Sequence, residues 1–239
     1  MIKYVIWNDY RNMACEREAR ILIVGDSYVN HLLKYIDAQQ AKSWGKIDEN
    51  FCLNRENLEI TFIGRSGAEF RTLRELTLVE AVRKKFDVII FMAGGNDLDK
   101  GNADPSKLAY GIVEFASDMC TSELTKFFVP TQVIIRPYPK FSSHSIYADR
   151  TNCFNVTLQH HTTSHRNVLY WSHDRLYQGR NYFASDGVHL NDLGQYSLYF
   201  SIKKALAHTI GHLRRGEDCE CTHIPNTRRS RGGKNIGNR

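Results

Sequence analysis

One short stretch constrains this chain more than any other: Ile21-Leu22-Ile23-Val24, followed at once by Gly25-Asp26-Ser27-Tyr28. Four consecutive apolar residues, three of them β-branched, read as a central strand buried on both faces of a parallel sheet. The strand stops abruptly at Gly25. From Asn30 to about Gln39 the spacing becomes helical, with Leu32, Leu33 and Ile36 on one face. Ser27 thus sits at a strand-to-helix turn on the carboxyl edge of a sheet, where open α/β sheets hold their ligands. A helix start also leaves backbone N–H groups free, which suits a developing oxyanion. Taken alone, Asp26 and Ser27 read as helix caps, and it is the later stretches that favour a functional reading.

The 239 residues can bury a full core, and the simplest division is one α/β domain over 20–215 with an N-terminal arm (1–19) and a tail (216–239). No run approaches the roughly 20 apolar residues of a membrane span. Met1 to Asp9 holds too short an apolar run for a secretion signal, so the chain is read as intracellular, cytoplasmic or nuclear rather than secreted. Six cysteines (15, 52, 120, 153, 219 and 221) are scattered, which favours reduced thiols. Of the formal charge of +6, five units come from Arg228, Arg229, Arg231, Lys234 and Arg239, with no acid after Thr222. The domain is therefore near neutral, and any weak attraction to nucleic acid belongs to the tail. The tail, which has no helical or strand period and ends in Arg, Gly, Ser and Asn, reads as disordered.

Along the chain, residues 1–7 read as an edge strand. Leu58 to Ile63 reads as a second strand, closed by Gly64-Arg65-Ser66-Gly67-Ala68 and followed by a helix over about 69–85. Phe86 to Met92 is a third strand, ending in Ala93-Gly94-Gly95-Asn96-Asp97. Asp104-Pro105 opens a helix to about Cys120. A fourth strand is expected over Gln132–Ile135, closed by Arg136-Pro137-Tyr138-Pro139. A rim loop should follow at 140–147, a helix at 148–164, a fifth strand at Val168–Trp171 and a final helix over about 191–214. Strands alternating with helices imply right-handed crossovers and a three-layer α/β/α fold with a mainly parallel five-stranded sheet, flavodoxin-like in layout.

In such a sheet the ends of the first three strands share one rim. Ser27, Gly67 and Asn96 can then converge, and the loop carrying Asp186 and His189 must pass nearby. A hydroxyl, a base, a carboxylate and hydrogen-bond donors are the parts of an acyl-transfer site. At this point the sequence resembles the SGNH hydrolases, the wider family of the GDSL esterases and lipases. Gly25-Asp26-Ser27 resembles the nucleophile block, Ser66-Gly67 the glycine block, Gly94-Gly95-Asn96-Asp97 the asparagine block and Asp186-Gly187-Val188-His189 the D-x-x-H block. The four lie in the family's order across about residues 20–212. Tyr28 departs from the leucine that many members carry.

The resemblance implies a serine esterase that needs no cofactor, with Ser27 as nucleophile, His189 as base and Asp186 orienting the imidazole. It also implies an oxyanion hole built from the N–H groups of Ser27 and Gly67 and the amide of Asn96. Glycine at 67 is expected to let the backbone approach without a Cβ in the way. The substrate would be a small-molecule, carbohydrate or lipid ester.

Other readings compete for the same residues. Ser66 lies in a near match to the G-x-S-x-G elbow, but the last glycine is missing, and a turn role fits better. His160, His161, His165 and His173 form a loose group, and Cys219, Cys221 and His223 carry donor atoms. Neither set has the spacing of a structural zinc site, so no metal is expected. Tyr138, Tyr147, Tyr182 and Phe183 either line an acyl or sugar pocket or are ordinary half-buried aromatics. The alternative function is an inert scaffold of this type that binds nucleic acid or a partner.

Overall fold

Ala19–Gly25 forms the first strand, β1, which lies inside the sheet with a parallel neighbour on each side. The structure, a computed structural model, describes residues 19–42, 47–53, 58–100, 104–173, 176 and 180–215. The expected edge strand at 1–7 and the tail from 216 fall outside them. After β1 come α1 (Ser27–Gln40), β2 (Leu58–Gly64), α2 (Phe70–Arg83), β3 (Phe86–Met92), α3 (Gly95–Lys100), α4 (Pro105–Thr121), β4 (Thr125–Pro130), α5 (His144–Thr162) and α6 (Asp192–Arg215). A 3₁₀ turn covers Arg180–Tyr182. The sheet order is β2-β1-β3-β4, all parallel.

Strand periodicity divides the core into two layers. Ile21, Ile23, Val88, Ile90 and Val129 face α1 and α6, meeting Leu32, Ile36, Leu198 and Ile202. Leu22, Val24, Ile89, Phe91 and Phe128 face α2, α4 and α5, meeting Leu73, Ile112, Ala116 and Phe154. Every residue of β3 is buried, as a strand covered on both faces by helices must be.

The sheet departs from expectation at its β4 edge. The fourth strand is Thr125–Pro130, not 132–135. Phe127, Phe128 and Val129 supply the buried apolar run, and Gln132–Ile135 instead leaves the ladder toward the carboxyl rim. The expected fifth strand is reduced to two isolated parallel bridges, Phe128↔Val168 and Thr131↔Trp171. The hydrogen bonds explain why. Phe128 N–H donates to the Asn167 carbonyl (2.9 Å) and Gln132 N–H to the Trp171 carbonyl (2.8 Å). The rung between them belongs to Pro130, which has no N–H to give. The sheet therefore has four strands rather than five.

Helix boundaries follow local chemistry. The α1 helix begins at Ser27 rather than at residue 30, because the Asp26 carboxylate caps it by accepting the Tyr28 N–H at 3.0 Å. The α5 helix begins at His144, so the second half of the expected rim loop is helical; Ser143 is its cap. The short α3, which carries Asn96, has too few residues to leave a periodic signature.

The β1–α1 turn is tight. A Cβ on Gly25 would lie 2.7 Å from Val29 Cγ2, 2.8 Å from Met92 Cβ and 2.9 Å from the Met92 carbonyl oxygen. Gly25→Ala is therefore expected to cost about 1–3 kcal/mol as an overpacked site. Gly67→Ala meets no neighbour within 4 Å and is strained only by a φ of +73°, a penalty of about 1–2 kcal/mol. Urea unfolding of both variants checks this: the Gly25→Ala transition should also show disturbed packing at α1, by loss of amide-exchange protection, and the Gly67→Ala transition should not.

Candidate active site

The order β2-β1-β3-β4 reverses direction between β1 and β3, and ligands of open parallel sheets bind outside such a switch point. Ser27 follows β1 and Asn96 follows β3, so the two flank that crevice. Ser27 is the first residue of α1 and is 7% exposed.

Asn96 links three of the four sequence blocks. Its Nδ2 donates to the Ala68 carbonyl at 2.8 Å and to Asp26 Oδ2 at 3.2 Å. Ala68 is the residue after Gly67, and Asp26 the residue before Ser27. In the turn at 65–68, Ala68 N–H bonds the Arg65 carbonyl at 3.0 Å, and Gly67 takes a left-handed φ of +73°. Glycine adopts that φ without strain, and a Cβ there would meet no protein atom within 4 Å. Ser66 is a turn residue whose Oγ accepts from Asn30 Nδ2 at 3.1 Å.

The fourth block is a self-contained loop. Asp186 Oδ1 accepts the N–H groups of Val188 and His189, each at 2.9 Å, and Oδ2 accepts His189 Nδ1–H at 2.6 Å. Gly187 has φ +62°, and a Cβ there would lie 2.1 Å from Tyr138 Cδ2, so only glycine fits. Two contacts pin the loop to the first turns of α1. Tyr28 Oη donates to the Val188 carbonyl at 2.8 Å. His31, one helical turn after Ser27, stacks on His189 with centroids 4.4 Å apart and planes 7° apart. The departure from leucine at position 28 thus has a structural use.

Beneath these groups lies a charged cluster. Burial pushes the Asp26 carboxyl up, and Arg136 pulls against it. Arg136 Nη2 is 3.4 Å from Asp26 Oδ2, and Arg136 Nη1 donates to Asn96 Oδ1 at 3.1 Å. Asp97, the last residue of the asparagine block, caps α2 by accepting the Phe70 N–H at 3.0 Å; burial raises its carboxyl to about 6. A cavity with room for a water molecule, about 20 Å³, opens beside Asp26 and Tyr28 and is walled by Met92, Val133 and Ile134.

The aromatics of the expected rim divide. Tyr147 is fully buried and Phe183 is buried, whereas Tyr138 stands 68% exposed over Gly187. The loose histidine group does not assemble: His173 is buried against Ser201 while His161 packs on Tyr110. Among the described residues no group of three or more His, Cys, Asp or Glu side chains could hold a metal ion. Sequence reasoning passed over Arg136, His31 and Asp99. For Arg136 a signal existed, a cation directly after the apolar run Val133-Ile134-Ile135.

Burial is the largest single influence on Asp186 and opposes its charge, but the His189 and Val188 N–H groups and the His189 ring together outweigh it and hold the carboxyl at about 2. A carboxylate depressed in the folded state stabilises the fold above the ordinary carboxylate pKa, and that support fades as the pH falls toward 2. Carbon-detected NMR of the Asp186 carboxyl should show a midpoint near 2 that climbs toward the ordinary value in His189→Ala. A midpoint that does not move would mean that the pair does not hold the charge.

Neither a family profile nor a curated protein sequence matches this chain. Solved structures do. TesA aligns with a TM-score of 0.59 at 14% identity, over 80% of this chain and 99% of its own. A GDSL-like lipase from Bacteroides thetaiotaomicron VPI-5482 aligns with a TM-score of 0.61 at 11% identity, over 79% of this chain and 88% of its own. An acetyl esterase, a mutant crystallised with acetate, aligns with a TM-score of 0.57 at 15% identity, over 82% and 99%. At such identities the likeness is one of fold. Together with the ordered blocks at the sheet's carboxyl rim, it gives this chain the fold of the SGNH hydrolases.

Proposed function

We propose that the chain hydrolyses a carboxylic ester through an acyl-enzyme on Ser27. The observation that carries this reading is the Asp186–His189 contact at 2.6 Å, on a loop tied to the first turns of α1 by Tyr28 and His31. The structural neighbours named as a lipase and an acetyl esterase support the reaction class.

With Nδ1 of His189 donating to Asp186, Nε2 is the nitrogen left to take a proton. Ser27 Oγ attacks the ester carbonyl and passes its proton to Nε2. The tetrahedral oxyanion is held by the N–H groups of Ser27 and Gly67 and by the Asn96 amide. That amide already spends its two hydrogens on Ala68 and Asp26, so donation to an oxyanion draws on the longer of the two bonds, the 3.2 Å contact to Asp26. Collapse returns the proton to the departing alcohol, and a water repeats the sequence to release the acid. No step requires a metal or a cofactor.

The other reading, a scaffold that binds nucleic acid, rests on the charges of residues 222–239, which lie outside the described residues. No observation in the described fold favours it.

Turnover of p-nitrophenyl acetate tests the esterase. Ser27→Ala should reduce it to the buffer rate, and Ser66→Ala should leave most of it intact. Loss of a general base typically costs about 10²–10⁴-fold, which is the expectation for His189→Ala. EDTA should leave the rate unchanged. Full activity in Ser27→Ala would overturn the proposal.

A further inference from the structure

The mechanism above leaves one buried cation without a part. Arg136 follows β4 at the carboxyl rim and is 1% exposed. Taking a guanidinium out of water costs several kcal/mol unless partners replace the solvent. Two carboxylates lie near, but neither makes its shortest contact. Asp26 Oδ2 stands at 3.4 Å and Asp99 Oδ2 at 3.8 Å, whereas the neutral Asn96 Oδ1 accepts from Nη1 at 3.1 Å. Asp99 is already served by the N–H groups of Lys140 (2.8 Å), Phe141 (3.0 Å) and Ser142 (3.2 Å) and by the Ser142 hydroxyl (3.1 Å). Its oxygens therefore have hydrogen-bond partners other than Arg136.

Resting on the esterase reading, we infer that Arg136 is a positioning residue that fixes which end of the Asn96 carboxamide faces the reacting carbonyl. A carboxamide has a donor end and an acceptor end of nearly equal size. Left alone, it can turn over and present its oxygen to an oxyanion, where it would repel. Guanidinium groups donate only, so Oδ1 must face Arg136. The amide nitrogen then faces Asp26 Oδ2 and the Ala68 carbonyl, both acceptors. These lie next in sequence to Ser27 and Gly67, the other two donors of the oxyanion hole. All three contacts of Asn96 agree in sense. The charge on Arg136 also polarises the amide and strengthens its N–H groups as donors.

The guanidinium itself is held in a fitted slot. The Tyr28 and Tyr147 rings flank it at 5.7 and 5.8 Å. Gly95, directly before Asn96, leaves room that a Cβ would remove, coming within 2.9 Å of Nη2 and 3.4 Å of Cζ.

The test is a double-mutant cycle on p-nitrophenyl acetate turnover. Arg136→Lys keeps the charge beside Asp26 but gives up the forked grip. It should lower kcat by about tenfold, a fraction of the roughly 10²–10³ lost with a whole oxyanion donor, and leave KM within about twofold. In an Asn96→Ala background the same change should cost less than about twofold, because the group it orients is gone. Gly95→Ala presses on Nη2 without removing any charge and should repeat the pattern, which keeps the test available if Arg136→Lys does not fold. Losses that multiply in full in the Asn96→Ala background, or an effect on KM alone, would overturn the assignment while leaving the esterase intact. Failure of the wild-type chain to hydrolyse the ester would instead overturn the reading on which it rests, and this role with it.

Discussion

A parallel strand buried on both faces can keep its backbone out of water only by pairing every N–H and C=O along its length. That requirement on β1 organises the molecule. Its pairing with β2 and β3 fixes both central crossovers, and its side chains alternate into the two helical layers. Where the pairing ends, at Gly25, the chain has no Cβ and β3 comes close enough to press on it. The nucleophile candidate therefore starts a helix directly at the point where the crossover direction reverses. The ends of β2 and β3 are drawn to the same rim by the same register: Gly25 pairs with both Gly64 and Met92.

Two kinds of polar order meet at this rim. On the inner side, the buried Asp26 and Arg136 and the half-buried Asn96 exchange hydrogen bonds largely shielded from solvent, where each contact is strong and each missing partner is costly. On the open side, Asp186 and His189 form a half-exposed pair whose orientation comes from a local turn, a tyrosine hydroxyl and a stacked histidine. The buried set can hold a fixed array of donors. The open set can exchange protons with a substrate and with water. An acyl-transfer site needs both, and Tyr28 belongs to each, with its ring beside Arg136 and its hydroxyl on Val188.

Much of this was legible in the residues because the signals were local or periodic. The apolar runs of β1 and β3, the alternation of β2 and the Asp-Pro start of α4 each carry their own physics. The four blocks read as one site because parallel strands end at a common rim. What was not legible depended on pairing between distant segments. The apolar residues of Gln132–Ile135 drew the expected fourth strand past Pro130, yet the strand is Thr125–Pro130, and at its last position a proline is tolerated. Its missing N–H becomes visible only against residues 167–171. Arg136 looked like one of the residues that close a strand, because nothing in sequence links it to Asn96, 40 positions earlier. His31 likewise reads as a helix surface residue until the loop at 186–189 is laid over it.

The central claim is that the hydroxyl at the end of β1 is a nucleophile activated by His189. The most direct measurement is reaction of the wild-type chain with a fluorophosphonate, followed by mass-spectrometric mapping of the modified peptide. The account predicts a single adduct, on Ser27, whose formation is lost when His189 is replaced by alanine. An adduct on another serine, or labelling of Ser27 at the same rate without His189, would contradict it.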